Sequence, residues 1–192
     1  MAQVVEAWND LGNAYWKQRK LAEAETAYGN ALEIRRRSLG LEHADVALTL
    51  NNLGAVYRRQ RRLGEAESLT RESLAIRRKL FGEEHLSVAD SLRNLGIILA
   101  DQGKREEAES TVRAVVAMRR RLLGDHDPSV AAALADLTWV MGPNGDYQEV
   151  ELLQTEAFDI QRRFLGELHP DVARSIYTFG ERMRRRGVRV ES

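Results

Sequence analysis

An eight-residue phrase returns along this chain at a fixed interval. GLEHADVA begins at Gly40, GEEHLSVA at Gly82, GDHDPSVA at Gly124 and GELHPDVA at Gly166, each glycine 42 residues after the last. The register extends past the phrase. Val46, Val88, Val130 and Val172 align, as do Ala47, Ala89, Ala131 and Ala173. Leu53, Leu95, Leu137 and Phe179 share one position, with Leu11 before them in a first unit that lacks the phrase. A fixed period of this size marks a stacked-repeat architecture, in which each unit buries its apolar face only against its neighbours.

Within one period two helical patterns alternate. Val46, Leu50, Leu53 and Tyr57 are spaced four, three and four apart, which puts them on one helix face. A polar break, RQRRLG, follows. Ala66, Leu69, Ser73 and Ile76 then trace a second helix that ends at Phe81-Gly82, where glycine suits the left-handed closing position. The predicted unit is helix, tight turn, longer helix, short connector. Units fall at about 1–40, 41–82, 83–124 and 125–166. A single capping helix follows over 167–187, its apolar register running from Val172 to about Arg186, then a short tail over 188–192.

Composition narrows the function classes. Lys+Arg 29 balances Asp+Glu 29, so no global field draws the chain to nucleic acid or an anionic membrane. The absence of cysteine removes disulfides, thiolate metal sites and thiol nucleophiles together. No apolar run approaches a membrane span, and the early Glu6 does not fit a secretory leader. A cytoplasmic all-α protein is the expectation. No glycine-rich phosphate loop or nucleophile constellation stands out, so no catalytic residue, cofactor or small-molecule substrate is assigned.

Two recurring features invite a chemical reading. His43, His85 and His169 occupy one repeat position, filled by Asp127 in the third phrase. Equivalent atoms of successive repeats lie roughly 20 Å apart, two helix layers of about 10 Å each, too far to share one ion. These residues are therefore read as caps or packing groups where each first helix begins. Basic clusters recur at Arg35 to Arg37, Arg77 to Lys79, Arg119 to Arg121, and Arg162 with Arg163. The same helices begin with paired glutamates, such as Glu65 and Glu67, an order that complements the helix dipole. Stacking aromatics do not accompany the row, so nucleic-acid binding is not expected.

In the first unit Trp8, Leu11, Gly12, Tyr15, Ala24, Tyr28 and Ala31 resemble the tetratricopeptide signature, W-x2-L-G-x2-Y followed by A-x3-F and a further Ala. Leu50, Leu53, Gly54, Tyr57 and Ala66 repeat it, then Leu92, Leu95, Gly96, Leu99 and Ala108. The longer period and the LNNLG of Leu50 to Gly54 are similar to the kinesin-light-chain type. HEAT and armadillo arrays share such periods but do not place Gly and Ala at these points. The resemblance implies an all-α, right-handed solenoid of stacked helix-turn-helix repeats. The fourth unit departs from the pattern: Thr138 replaces glycine, Met141 tyrosine and Val150 alanine. GPNG, Gly142 to Gly145, should end its first helix early.

The same resemblance implies that first helices line a concave groove for an extended peptide or a helix. By register the groove positions are Asn9, Asn13, Trp16 and Lys17, with Glu6 at the edge; then Leu48, Asn51, Ala55, Arg58 and Arg59. Asp90, Arg93, Ile97 and Asp101 follow, then Ala135 and Trp139, and last Arg174, Tyr177, Glu181 and Arg184. Asparagine can pair with a ligand's backbone amides, arginine can grip a carboxylate, and the aromatics offer stiff contact area. Chaperone adaptors of this class clamp a terminal carboxylate with Lys, Asn, Asn, Lys and Arg. Here those positions hold Asn9, Asn13, Asn52, Asp90 and Asn94, so chaperone tails are disfavoured. Kinesin-light-chain grooves take a tryptophan flanked by acids, a preference that Asn51, Arg58 and Arg93 leave open. The expected role is a scaffold for a protein or peptide partner, acting as the sensor or adaptor part of a larger protein. The alternative is a self-assembling module stacked end to end, since Val4 and Val5 begin the first unit without a capping helix.

Overall fold

The computed structural model describes residues 2–142 and 145–166, together with Tyr177 and Gly180. The described residues form eight helices: α1 Ala2–Lys17, α2 Leu21–Leu39, α3 Ala44–Arg59, α4 Leu63–Phe81, α5 Leu86–Asp101, α6 Arg105–Leu123, α7 Pro128–Met141 and α8 Tyr147–Leu165. No strand occurs among them. Two compact units divide inside α6, at Met1–Met118 and Arg119–Ser192.

In the first unit α1, α3 and α5 form one layer and α2, α4 and α6 the other. α1 packs on α2 and α3 on α4, α2 and α4 also pack on the next odd helix, and α5 meets α6 where Gly96 faces Ala108 and Val112. Glycine makes the first kind of crossing possible. A Cβ on Gly12 would lie 2.6 Å from the Tyr28 ring, one on Gly54 2.7 Å from Thr70 Oγ1, and one on Gly96 2.5 Å from Val112. Ala24, Ala66 and Ala108 are fully buried at the same crossings. The small-residue positions of the repeat signature are thus where the backbones approach most closely. Around them Val46, Leu50, Leu53 and Val56 join Tyr28 and Leu32 in the core.

The turns repeat as faithfully as the helices. Arg19, Arg61 and Gly103 stand 42 residues apart, each at positive φ (60°, 65° and 83°). Each next residue, Lys20, Arg62 and Lys104, returns its N–H to a carbonyl of the closing helix, on Tyr15, Tyr57 and Leu99 respectively. The connector phrase begins at Gly40, Gly82, Gly124 and Gly166, with φ of 79–87°. Their N–H groups bond the arginine carbonyls four residues back and close the longer helices, as the sequence requires.

In the second unit α7 packs on α8. Helix α7 has 14 residues where α1, α3 and α5 have 16, and Gly142 follows it at positive φ, so it ends early as expected. Thr138, at the usual glycine position, is buried and donates to the Ala135 carbonyl at 2.9 Å. The expected capping helix over 167–187 lies outside the described residues, apart from Tyr177 and Gly180.

Candidate binding face

The recurring histidine resolves first. His43 Nδ1 accepts the Asp45 N–H at 3.1 Å and His85 Nδ1 that of Ser87 at 3.1 Å; Asp127 Oδ1 accepts the Ser129 N–H at 2.8 Å. All three are N-caps of odd-numbered helices. Imidazole and carboxylate alternate at this position because both offer an in-plane acceptor to the same orphan N–H. His169 lies outside the described residues. Among the described residues no group of three His, Asp or Glu is placed to hold a metal, and no helix is long and apolar enough to cross a membrane.

The basic clusters divide into two roles that sequence reasoning merged. In the first three clusters the leading arginine is buried: Arg35, Arg77 and Arg119 are 5–7% exposed, whereas Arg162 of the fourth is exposed. Arg35 donates to the Asp45 carbonyl (3.2 Å) and Thr49 Oγ1 (2.5 Å), and Arg77 to the Ser87 carbonyl (2.6 Å) and Ser91 Oγ (3.0 Å). Arg119 donates to the Ser129 carbonyl at 2.8 Å. Each pins the end of an even helix to the first turns of the odd helix after it. The available signal was phase: Tyr28, Leu32 and Arg35 share one helical face, so the first arginine of a cluster follows the core stripe inward. The other members lie outside and pair with acids, as in Arg36–Glu72 (2.7 Å), Arg37–Glu33 (2.5 Å) and Lys79–Glu42.

A second link between neighbouring repeats was missed. Glu25 accepts from Gln60 and Arg62, both at 2.8 Å. One period on, Glu67 accepts from Gln102 at 2.9 Å and Lys104 at 3.0 Å, and also from Arg71 at 2.8 Å. Burial pushes the Glu67 carboxyl up, but the bonds from Gln102, Lys104 and Arg71 more than reverse this and bring it to about 2. Glu25 is lowered by the same contest of burial against Gln60 and Arg62. Gln60 and Gln102 read in the sequence as ordinary turn residues. Only their shared spacing of 35 residues from Glu25 and Glu67 marks them.

On the α1–α3–α5 face these links leave a mixed surface. Asn9 Oδ1 accepts from the buried Arg35 at 3.4 Å, and Asn13 Oδ1 accepts the Tyr28 hydroxyl at 2.7 Å. Burial pushes that hydroxyl up to about 12, so it stays protonated as a donor. Both amides are therefore oriented from behind, with their NH2 groups not spent in those bonds. Trp16 is half-buried with the Arg59 guanidinium 5.9 Å from its ring centroid, which ties α1 to α3. Lys17, Leu48, Arg59 and Asp90 are exposed, while Ala55, Arg93 and Ile97 are half-buried.

Three positions differ from the expectation. Asn51 is only 7% exposed and its Oδ1 is buried without a partner, so its amide is not open surface; it sits on the inner side of α3, beside core residue Leu50. Arg58 is held by Asp101 at 3.0 Å across α3 and α5, with Arg61 reaching the same carboxylate at 3.4 Å. That ion pair spends on the fold the guanidinium and carboxylate that the sequence offered to a ligand. Trp139 (47% exposed) and Tyr177 (69%) belong to the second unit. Arg174 lies outside the described residues, as do Glu181 and Arg184.

Comparison with known proteins bears on this arrangement. The tetratricopeptide repeat family model matches residues 3–79, 45–121 and 87–163. Among solved structures, a Podospora anserina putative kinesin light chain with nearly identical TPR-like repeats superposes with a TM-score of 0.79. It is 24% identical, over 95% of this chain and 86% of that one. BtubC (BKLC) from P. vanneervenii gives 0.75 at 26% identity, over 86% and 66%. A Rap protein complexed with Competence and Sporulation Factor gives 0.76 at 17% identity, over 94% of this chain and 48% of that one. No curated protein sequence matches significantly.

Proposed function

The chain belongs to the tetratricopeptide repeat family, and on that premise we propose that its α1–α3–α5 face binds an extended peptide of a protein partner, as a scaffold and not as an enzyme. One observation carries the reading. Arg35 and Tyr28 hold the Asn9 and Asn13 amides by their oxygens, which leaves two pre-oriented donor groups on successive turns of one helix. Fixed donors bind peptide carbonyls with little further loss of side-chain freedom. The half-buried Trp16 edge and the exposed Lys17 and Arg59 beside it favour a ligand with an apolar side chain flanked by acids.

A Rap relative of the same fold was solved with Competence and Sporulation Factor, so this architecture accommodates a bound factor. The test is selection of ligands from a random peptide display library, followed by titration calorimetry. Selected peptides should lose roughly tenfold in affinity, about 1.4 kcal/mol, when Asn13 becomes alanine. Further loss should follow when Asn9 and Arg59 are also replaced, with helical circular dichroism unchanged. Peptides that bind the triple variant as tightly as the parent would remove the face assignment.

A further inference from the structure

At one joint of the first unit the charges do not close. Between the second and third repeats, Asp101 at the end of α5 accepts from Arg58 at 3.0 Å and from Arg61 at 3.4 Å. The residues 42 positions before these three are Arg59, Trp16 and Arg19. The Arg59 guanidinium stands 5.9 Å from the Trp16 ring centroid, so the packing register is kept. The acid is not. The register that brings Arg61 to a carboxylate brings Arg19 to a second cation, Arg59, and Lys17 follows directly after Trp16. Lys17, Arg19 and Arg59 are exposed, and none of them forms an ion pair with another described residue, Glu23 at the start of α2 included. Arg19 moreover holds left-handed backbone at a turn position that Gly103 fills two periods on, so the turn itself requires no side chain there.

Resting on the reading of the α1–α3–α5 face as a peptide site, we propose that its Lys17–Arg19–Arg59 corner takes the phosphate of a phosphorylated serine or threonine in the partner. Lys17 lies one helical turn beyond Asn13, so the corner closes the end of that face. Charge decides between anions. A carboxylate suffices at the next joint, where two arginines share Asp101. Here the equivalent residue is itself cationic, and three positive groups stand without an acid. A phosphomonoester brings about −1.5 to −2 charges at neutral pH and three acceptor oxygens, enough for one ammonium and two guanidinium groups. A glutamate brings one charge and two oxygens. A nucleic acid would need the free cations to continue along the repeats. They do not, because Asp101 takes up Arg58 and Arg61, and Glu67 takes up Lys104.

Two probes on the full chain test this. Inorganic phosphate, titrated at constant ionic strength and followed by the arginine Nε–H resonances, should shift Arg19 and Arg59 saturably and leave Arg58 unmoved. Peptide libraries with a fixed central phosphoserine, glutamate or serine should be captured in that order, the first roughly tenfold better than the second. Arg59→Asp supplies within the chain the carboxylate that the next joint has. It should erase the phosphate response and level the pools with helical circular dichroism unchanged, and Arg19→Gly, which the turn accommodates, should do the same. Asn13→Ala separates the two readings, because it should lower capture of all pools and preserve their order. An order that persists while Asn13→Ala costs nothing would remove the face and keep the phosphate site. Shifts spread evenly over the exposed arginines, equal capture of the phosphoserine and glutamate pools, a preference that survives Arg59→Asp, or a single-stranded oligonucleotide bound more tightly than the phosphoserine pool would each overturn the phosphate site.

Discussion

Arg19 and Arg61 hold left-handed backbone that Gly103 adopts one period later. A side chain there costs roughly 1–2 kcal/mol, against about 0.5–1 for the extra chain entropy that glycine gives up. Arg19→Gly should therefore raise stability by roughly 0.5–1 kcal/mol, read as a higher denaturation midpoint at unchanged slope. A lower midpoint would show that the strain is relieved elsewhere. Thr70 presents a related case. Its side chain is fully buried against Gly54 and its Oγ1 has no hydrogen-bond partner, whereas the equivalent residue one period on is Val112. Thr70→Val removes an unsatisfied polar atom at constant shape and should stabilise by about 1 kcal/mol. Equal or reduced stability would mean that the hydroxyl is satisfied in solution.

Between elements, the joints are made by caps and by buried guanidinium groups. His43→Ala should cost about 1 kcal/mol, and His43→Asp should retain most of the cap, because Asp127 performs the same task at the start of α7; equal losses would mean that the ring acts by packing. Arg77→Ala should cost about 3 kcal/mol, since it removes the donor that the Ser87 carbonyl and Ser91 Oγ share between α4 and α5. Arg37→Ala, in an exposed pair, should cost well under 1. Comparable losses from the two would refute the division of the basic clusters. The sequence made these joints only partly legible. The glycine stops, the caps and the Gly–Ala crossings could be read because backbone geometry restricts those positions to a few residue types. The buried arginines were harder to read, because arginine on a helix end is usually solvated, and only the phase of Tyr28 and Leu32 marks which of several adjacent cations points inward. For the same reason Arg58 and Asp101 read as ligand contacts. A charge 43 residues away is invisible until the helices are side by side, and Asn51 was given to the surface by register although packing had enclosed it.

Across the first unit as a whole, cooperativity depends on links that reach from one repeat to the next, and these set its response to acid. Glu67 has its carboxyl near 2 in the folded state, against an ordinary value near 4.5. A carboxyl depressed on folding contributes stability that is complete above its unfolded pKa and disappears as pH falls through the folded value. The Glu67 contribution should thus be full above about pH 5 and nearly gone at pH 2, a loss of about 1–2 kcal/mol once the half-exposed Lys104 and Arg71 partners are discounted for screening. Glu25 shifts in the same direction and should add to the slope. Chemical unfolding of the parent and of Glu67→Gln across pH 7 to 2 separates this from general acid denaturation. The variant should be less stable at pH 7, lose less on acidification, and converge with the parent near pH 2. Two curves that fall in parallel would show that Glu67 does not couple the repeats. In that event the buried Arg35 and Arg77 joints would remain among the polar links between them, and because guanidinium stays charged throughout this range and their partners are carbonyls and hydroxyls, stability carried by those joints would not fall with acid.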